Sequence, residues 1–87
     1  MKRRLMIYYT PPKEKLQLVA VDTEWFGQQK ERLHRPHGTF AMLSMSDGED
    51  IWVCTELEQV EKFLSMSYNF IFHNALYDLR QLRGKGI

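Results

Sequence analysis

In Leu18-Val19-Ala20-Val21-Asp22-Thr23-Glu24-Trp25 an apolar, β-branched run ends in two carboxylates one residue apart. Residues 16–24 have the near-continuous apolar character of a strand buried on both faces, which belongs to a sheet interior rather than an edge. Successive strand side chains point to opposite faces, so Asp22 and Glu24 should project from one face, about 7 Å apart along it. Two bare carboxylates that close repel each other and are costly to desolvate. A bound cation or a shared proton is the usual remedy, so the first expectation is a divalent-metal site.

Outward from this strand, Leu5 to Thr10 reads as a further strand, ended by Pro11-Pro12, because proline removes a ladder donor and biases its predecessor toward extended backbone. Residues 25–38, with Gly27, Gln28, Gln29, Pro36 and Gly38 among charged side chains, read as an exposed connection. Thr39–Ser46 and Ile51–Thr55 flank Asp47-Gly48-Glu49-Asp50, a turn signal that joins antiparallel neighbours into a hairpin. Thr55-Glu56-Leu57-Glu58 fits a capping box, and Leu57, Val60 and Leu64 follow at helical spacing, which predicts a helix over 56–66. Asn69–His73 reads as a short strand, and Asn74 to Arg83 as a helix stopped by Gly84 and Gly86. On that helix Asn74, Tyr77, Asp78 and Gln81 share one face. Leu76, Leu79 and Leu82 centre about 145° away and are expected to pack on the sheet.

The 87 residues suffice for one small domain with a single modest core. No apolar run approaches the roughly 20 residues that span a bilayer, and Leu5–Tyr9 is too short for a secretory apolar region, so the expectation is a cytoplasmic protein with no membrane association. Cys54 is the one cysteine, which excludes an intrachain disulfide and reads as a small core residue. The net charge is +1, yet the charges are uneven. Lys2, Arg3 and Arg4 open the chain, Lys30, Arg32 and Arg35 lie in the middle, and Arg80, Arg83 and Lys85 come last, while acids gather between Asp47 and Glu61. Cations beside a carboxylate site suit a polyanionic substrate held by its phosphates, although solvated loop charges give the same pattern. His34 and His37 are separated by a proline and read as loop side chains, since structural zinc normally needs four ligands.

Two stretches carry a resemblance. Val21-Asp22-Thr23-Glu24-Trp25, taken with Ile71-Phe72-His73-Asn74-Ala75-Leu76-Tyr77-Asp78-Leu79, resembles the first two signature motifs of the DEDD 3′ to 5′ exonucleases, above all the proofreading domain of family A DNA polymerases. The Asp-x-Glu pair is a weak signal by itself. His-Asn-x-x-Tyr-Asp-Leu-x-x-Leu after a short apolar strand is more specific, and the likeness covers residues 16–84. It implies an α/β fold with a partial ribonuclease H-like mixed sheet in the order strand, hairpin, helix, strand, helix. A basic segment over 1–15 would precede this exonuclease-like domain over 16–87.

The same resemblance implies two-metal hydrolysis of a 3′-terminal phosphodiester of single-stranded DNA. Asp22 would bridge two Mg²⁺ or Mn²⁺ ions, Glu24 would complete the site of the ion that activates water, and Asp78 would hold the second ion. Asn74, Tyr77 and Gln81 would meet the terminal nucleotides, Trp25 or Phe26 would stack on the last base, and Lys30, Arg32 and Arg35 would hold phosphates. The family's third motif, a Tyr-x-x-x-Asp or His-x-x-x-Asp on a later helix, is not present in these 87 residues. The expectation is therefore the amino-terminal part of such a domain with an incomplete site, either cut short or completed by the remainder of a polymerase or exonuclease on another chain. The alternative is a catalytically inactive, truncated nuclease-like module that binds nucleic acid or a protein partner.

Overall fold

A computed structural model of the chain describes residues 4–26 and 39–87 as an α/β arrangement of one mixed sheet and two α-helices. The elements are β1 (Met6–Tyr8), β2 (Leu16–Phe26), β3 (Thr39–Ser46), β4 (Asp50–Cys54), α1 (Val60–Leu64), β5 (Ser67–Phe72) and α2 (Ala75–Gly84), with a 3-10 turn over Leu57–Gln59 leading into α1. The sheet order is β1-β4-β3-β2-β5. The hairpin β3–β4 is antiparallel and β2 runs antiparallel to β3, whereas β5 lies parallel on the other side of β2 and β1 parallel to β4. Met6–Tyr8 thus joins the same sheet as the elements after residue 16. None of the helices among the described residues is long and apolar enough to cross a membrane.

The predicted interior strand does have a neighbour on each side, but only one of its faces is buried. Val19, Val21 and Thr23 are covered, while Leu18, Ala20 and Glu24 on the alternate positions are exposed. The reason lies in where the helices pack. Val60 and Phe63 of α1 and Leu82 of α2 join Val19, Val21, Leu43, Met45, Trp52 and Cys54 in one cluster, so the two helices cover the same face. Cross-strand pairing keeps that face in register: Val21 sits opposite Met45 and Thr23 opposite Leu43, and these continue to Trp52 and Cys54 on β4. Between Glu24 and Trp25 the register slips, Glu24 pairing with Met42 and Trp25 with Phe40, so Ala41 is the extra residue of a bulge.

The hairpin turn forms as the Asp-Gly signal predicts. The Asp47 carboxylate accepts from the amides of Glu49 at 2.8 Å and Asp50 at 2.9 Å, and Gly48 takes φ +94°, a region that side-chain-bearing residues avoid. The helix expected over 56–66 is shorter. A 3-10 turn closes with Gln59 N–H donating to Glu56 O at 2.9 Å, α1 then spans Val60–Leu64, and no side chain caps either start. With the 3-10 turn in between, the α-helix starts at Val60, four residues past the start that Thr55 would cap, so the capping box does not form.

Helix α2 ends where its glycines predict. Gly86 at φ +85° lets its N–H reach Arg83 O at 3.0 Å and the Ile87 N–H reach Leu82 O at 3.1 Å, and Ile87 packs on the core. This is the paired hydrogen-bond closure of a left-handed C-terminal cap, with its apolar contact. The rotation of α2 differs from the leucine-inward expectation. Leu82 is buried, but Leu79 is 43% exposed, and Asp78 and Gln81 are each only 1% exposed. The polar stripe thus turns inward with Leu82, because Asp78 finds a hydrogen-bond partner on the sheet.

Candidate functional site

Parallel pairing of β2 with β5 brings the two sequence motifs together. Val21 lies opposite Phe72, and the His73 N–H donates to Val21 O at 3.1 Å, so the chain leaves β5 beside the start of Asp22-Thr23-Glu24. Residues about fifty positions apart in sequence therefore share one end of the sheet, at the strand-to-helix turn that starts α2. On the helix-free face at this end, Ala20, Asp22, Ser44, Ser46, Ile51, Ile71 and His73 line an open concavity of about 400 Å³. Asp22 is half-buried there, opposite Ser44 across β3, and Glu24 is exposed further along the same face. The sequence does not mark the two serines, since a serine in a strand of mixed faces carries no spacing signal, and His73, just before the helix, reads as a strand-end residue rather than a base.

Asp78 is on the other face. Its Oδ1 accepts from the Thr23 hydroxyl, and its Oδ2 accepts from the Asn74 N–H at 3.3 Å. Thr23 alternates with Asp22 and Glu24 along β2 and is buried among core residues, so the sheet separates Asp78 from the acidic pair. The structure brings Asp22 and Glu24 to one face and does not add Asp78 to them. Among the described residues, no three of His, Cys, Asp and Glu lie together as a set able to hold a metal ion. The two-ion arrangement of three carboxylates does not fit this geometry. What remains open to one hard cation is the Asp22–Glu24 pair, because such ions are commonly held by one or two carboxylates with waters or phosphates completing the shell.

The residues expected to meet nucleic acid are also divided. Trp25 donates its indole N–H to Thr23 Oγ1 at 2.7 Å and packs edge-on against Phe40 with centroids 5.3 Å apart, so its polar edge is used within the domain. Phe26, next along the strand, is 64% exposed and free of that packing. Asn74 is exposed and caps α2, its side-chain oxygen accepting from Tyr77 N–H at 3.4 Å. Tyr77 is half-buried and Gln81 buried, so Gln81 does not reach a surface ligand. Lys30, Arg32 and Arg35, with His34 and His37, lie outside the described residues. Thr23 is the site residue that the sequence marks least. Its signal was a single hydroxyl at a position whose neighbours of like parity, Val19 and Val21, are apolar core.

No protein-family model matches this sequence, and comparison with curated proteins and with solved structures finds no significant match.

Proposed function

We propose that the chain is a ribonuclease H-like domain of the DEDD 3′ to 5′ exonuclease kind, which engages the 3′ end of single-stranded DNA at the Asp22 end of its open sheet face. The observation that carries this reading is the parallel β2–β5 pairing, with His73 N–H on Val21 O at 3.1 Å, which sets both motifs at one end of the sheet. The antiparallel hairpin on one side of β2 and the parallel strand on the other agree with the mixed sheet that the motifs imply. Asp22 and Glu24 would hold Mg²⁺ or Mn²⁺, whose chemistry is to neutralise phosphate charge and favour hydroxide near neutral pH. Phe26 offers a ring for the terminal base, and the concavity lined by Asp22, Ser44, Ser46 and His73 supplies polar groups beside an apolar floor.

Hydrolysis in this reading needs carboxylates beyond Asp22 and Glu24, supplied by the rest of an exonuclease or polymerase. The second reading, a module that binds without cleaving, is favoured by the placement of Asp78 away from the acidic pair. The test is a Mn²⁺-dependent assay on 3′-labelled single-stranded DNA, with binding followed by fluorescence anisotropy, for the chain and for Asp22→Ala. Binding that Asp22→Ala weakens, with slow or no cleavage, is the expected result. Cleavage unaffected by the substitution, or no binding at all, refutes the assignment.

A further inference from the structure

We infer that Asp78 is the anchor of α2, at once its N-terminal cap partner and its clamp to β2, and that it stands outside any cation site built on Asp22 and Glu24. The direction of the hydrogen bonds carries the argument. The Trp25 indole N–H can only donate, and it donates to Thr23 Oγ1 at 2.7 Å. Thr23 has one hydroxyl proton, and that proton is directed to Asp78 Oδ1. The chain therefore runs one way, from Trp25 to Thr23 to Asp78, and ends on a carboxylate that is 1% exposed.

The second carboxylate oxygen is engaged as well. Asp78 Oδ2 accepts from Asn74 N–H at 3.3 Å while Asn74 Oδ1 accepts from Tyr77 N–H at 3.4 Å. This is the reciprocal logic of a capping box, with the acid one residue later than its usual third helical position. Each oxygen has a partner, Oδ1 the buried Thr23 hydroxyl and Oδ2 the Asn74 amide at the start of α2, whereas Asp22 and Glu24 alternate with Thr23 and project from the other face. For Asp78 to join them, Thr23 and the Asn74 amide would both lose their acceptor and α2 would have to swing around the end of β2. Charged hydrogen bonds whose loss strands buried donors are expensive to give up.

The test uses the whole chain and the variants Thr23→Val, Asp78→Ala, Asp78→Asn and the double variant Thr23→Val with Asp78→Ala. Urea unfolding should show each of Thr23→Val and Asp78→Ala lowering the folding equilibrium constant about ten-fold or more, with the double variant about as stable as Asp78→Ala. Asp78→Asn should retain more stability than Asp78→Ala, because an amide oxygen still accepts from Thr23. The Trp25 indole proton resonance should move in Thr23→Val and in Asp78→Ala, with that of Trp52 as internal reference. Additive effects of the two substitutions, or an unmoved Trp25 resonance, overturn the inference. Mn²⁺ titration gives an independent arm: Asp78→Asn should bind as the unaltered chain does while Asp22→Ala loses affinity. Loss of Mn²⁺ affinity in Asp78→Asn at unchanged stability makes Asp78 a ligand and overturns the inference. A chain that binds no Mn²⁺ counts instead against the Asp22–Glu24 cation site, and the Thr23–Asp78 coupling then decides the anchor alone.

Discussion

The rotation of α2 can be tested without any ligand, through two leucines three residues apart. Leu82 is 3% exposed and belongs to the core cluster, whereas Leu79 is 43% exposed. Truncating a buried leucine to alanine costs about 2–5 kcal/mol, from lost transfer free energy and the cavity left behind. Leu82 lies in the last turns of a ten-residue helix, where the chain end relaxes more easily than a sheet, so about 2 kcal/mol is the expected loss. Leu79 keeps nearly half of its surface in water, and replacing it by alanine removes roughly 1 kcal/mol at most. Alanine is also the better helix former, which offsets part of that loss. For a chain of this size 1 kcal/mol moves the thermal midpoint by about 4–8 °C. Leu82→Ala should therefore melt about 10 °C lower than the unaltered chain and Leu79→Ala within about 4 °C of it. Circular dichroism melts at 222 nm, with urea titrations for the free energies, provide the measurement. Equal losses at the two sites, or a larger one at Leu79, would mean that the leucine stripe faces the sheet, and the placement of Asp78 would fall with it.

Two further outcomes follow from the hairpin and the core. Gly48→Ala has open space around its new methyl group but must adopt φ +94°, so it should cost about 1–2 kcal/mol in urea unfolding, and a loss near zero would mean that the turn changes type. Burial pushes the Cys54 thiol above its ordinary pKa, with the carboxylates of Glu56 and Glu58 adding to the shift. An acid with a raised folded-state pKa contributes stability that is whole below the unfolded value, about 8.5, and lost as pH rises through the folded value. Stability should fall across that alkaline window and do so less in Cys54→Ala, and alkylation of native Cys54 should be much slower than that of the urea-unfolded chain. An equal alkaline slope in the variant would assign the loss to other groups.

Much of the architecture was legible because it is encoded by neighbours in the chain. The Asp47–Asp50 turn follows from one glycine and one side chain that bonds its own backbone, and the stop after Gly84 follows from a glycine free to take positive φ. The apolar run into Asp22 predicted a strand, and its period of two placed Asp22 and Glu24 on the same face. The start of α1 was less legible. Whether Thr55 caps a helix depends on whether Leu57–Gln59 winds as α or 3-10, and that is decided by how Val60 and Phe63 reach the core.

By itself the sequence determined what short-range geometry dictates: the elements, the turn chemistry, the alternation that pairs Asp22 with Glu24, and the motif likeness that suggests a nuclease. Only the tertiary structure decided which face of each element is inside. Both helices packed on one side of the sheet, leaving Leu18, Ala20 and Ile71 exposed, a choice that the pattern of β2 does not contain because both its faces are rich in apolar residues. Helix α2 likewise had two plausible inward stripes. Hydrophobic spacing favoured the leucines, but two hydrogen bonds offset the cost of burying the Asp78 carboxylate, so the polar stripe can turn inward with Leu82. Those donors belong to Thr23, fifty-five residues away, and to Asn74. A contact of such separation exists only once β2 and β5 lie side by side.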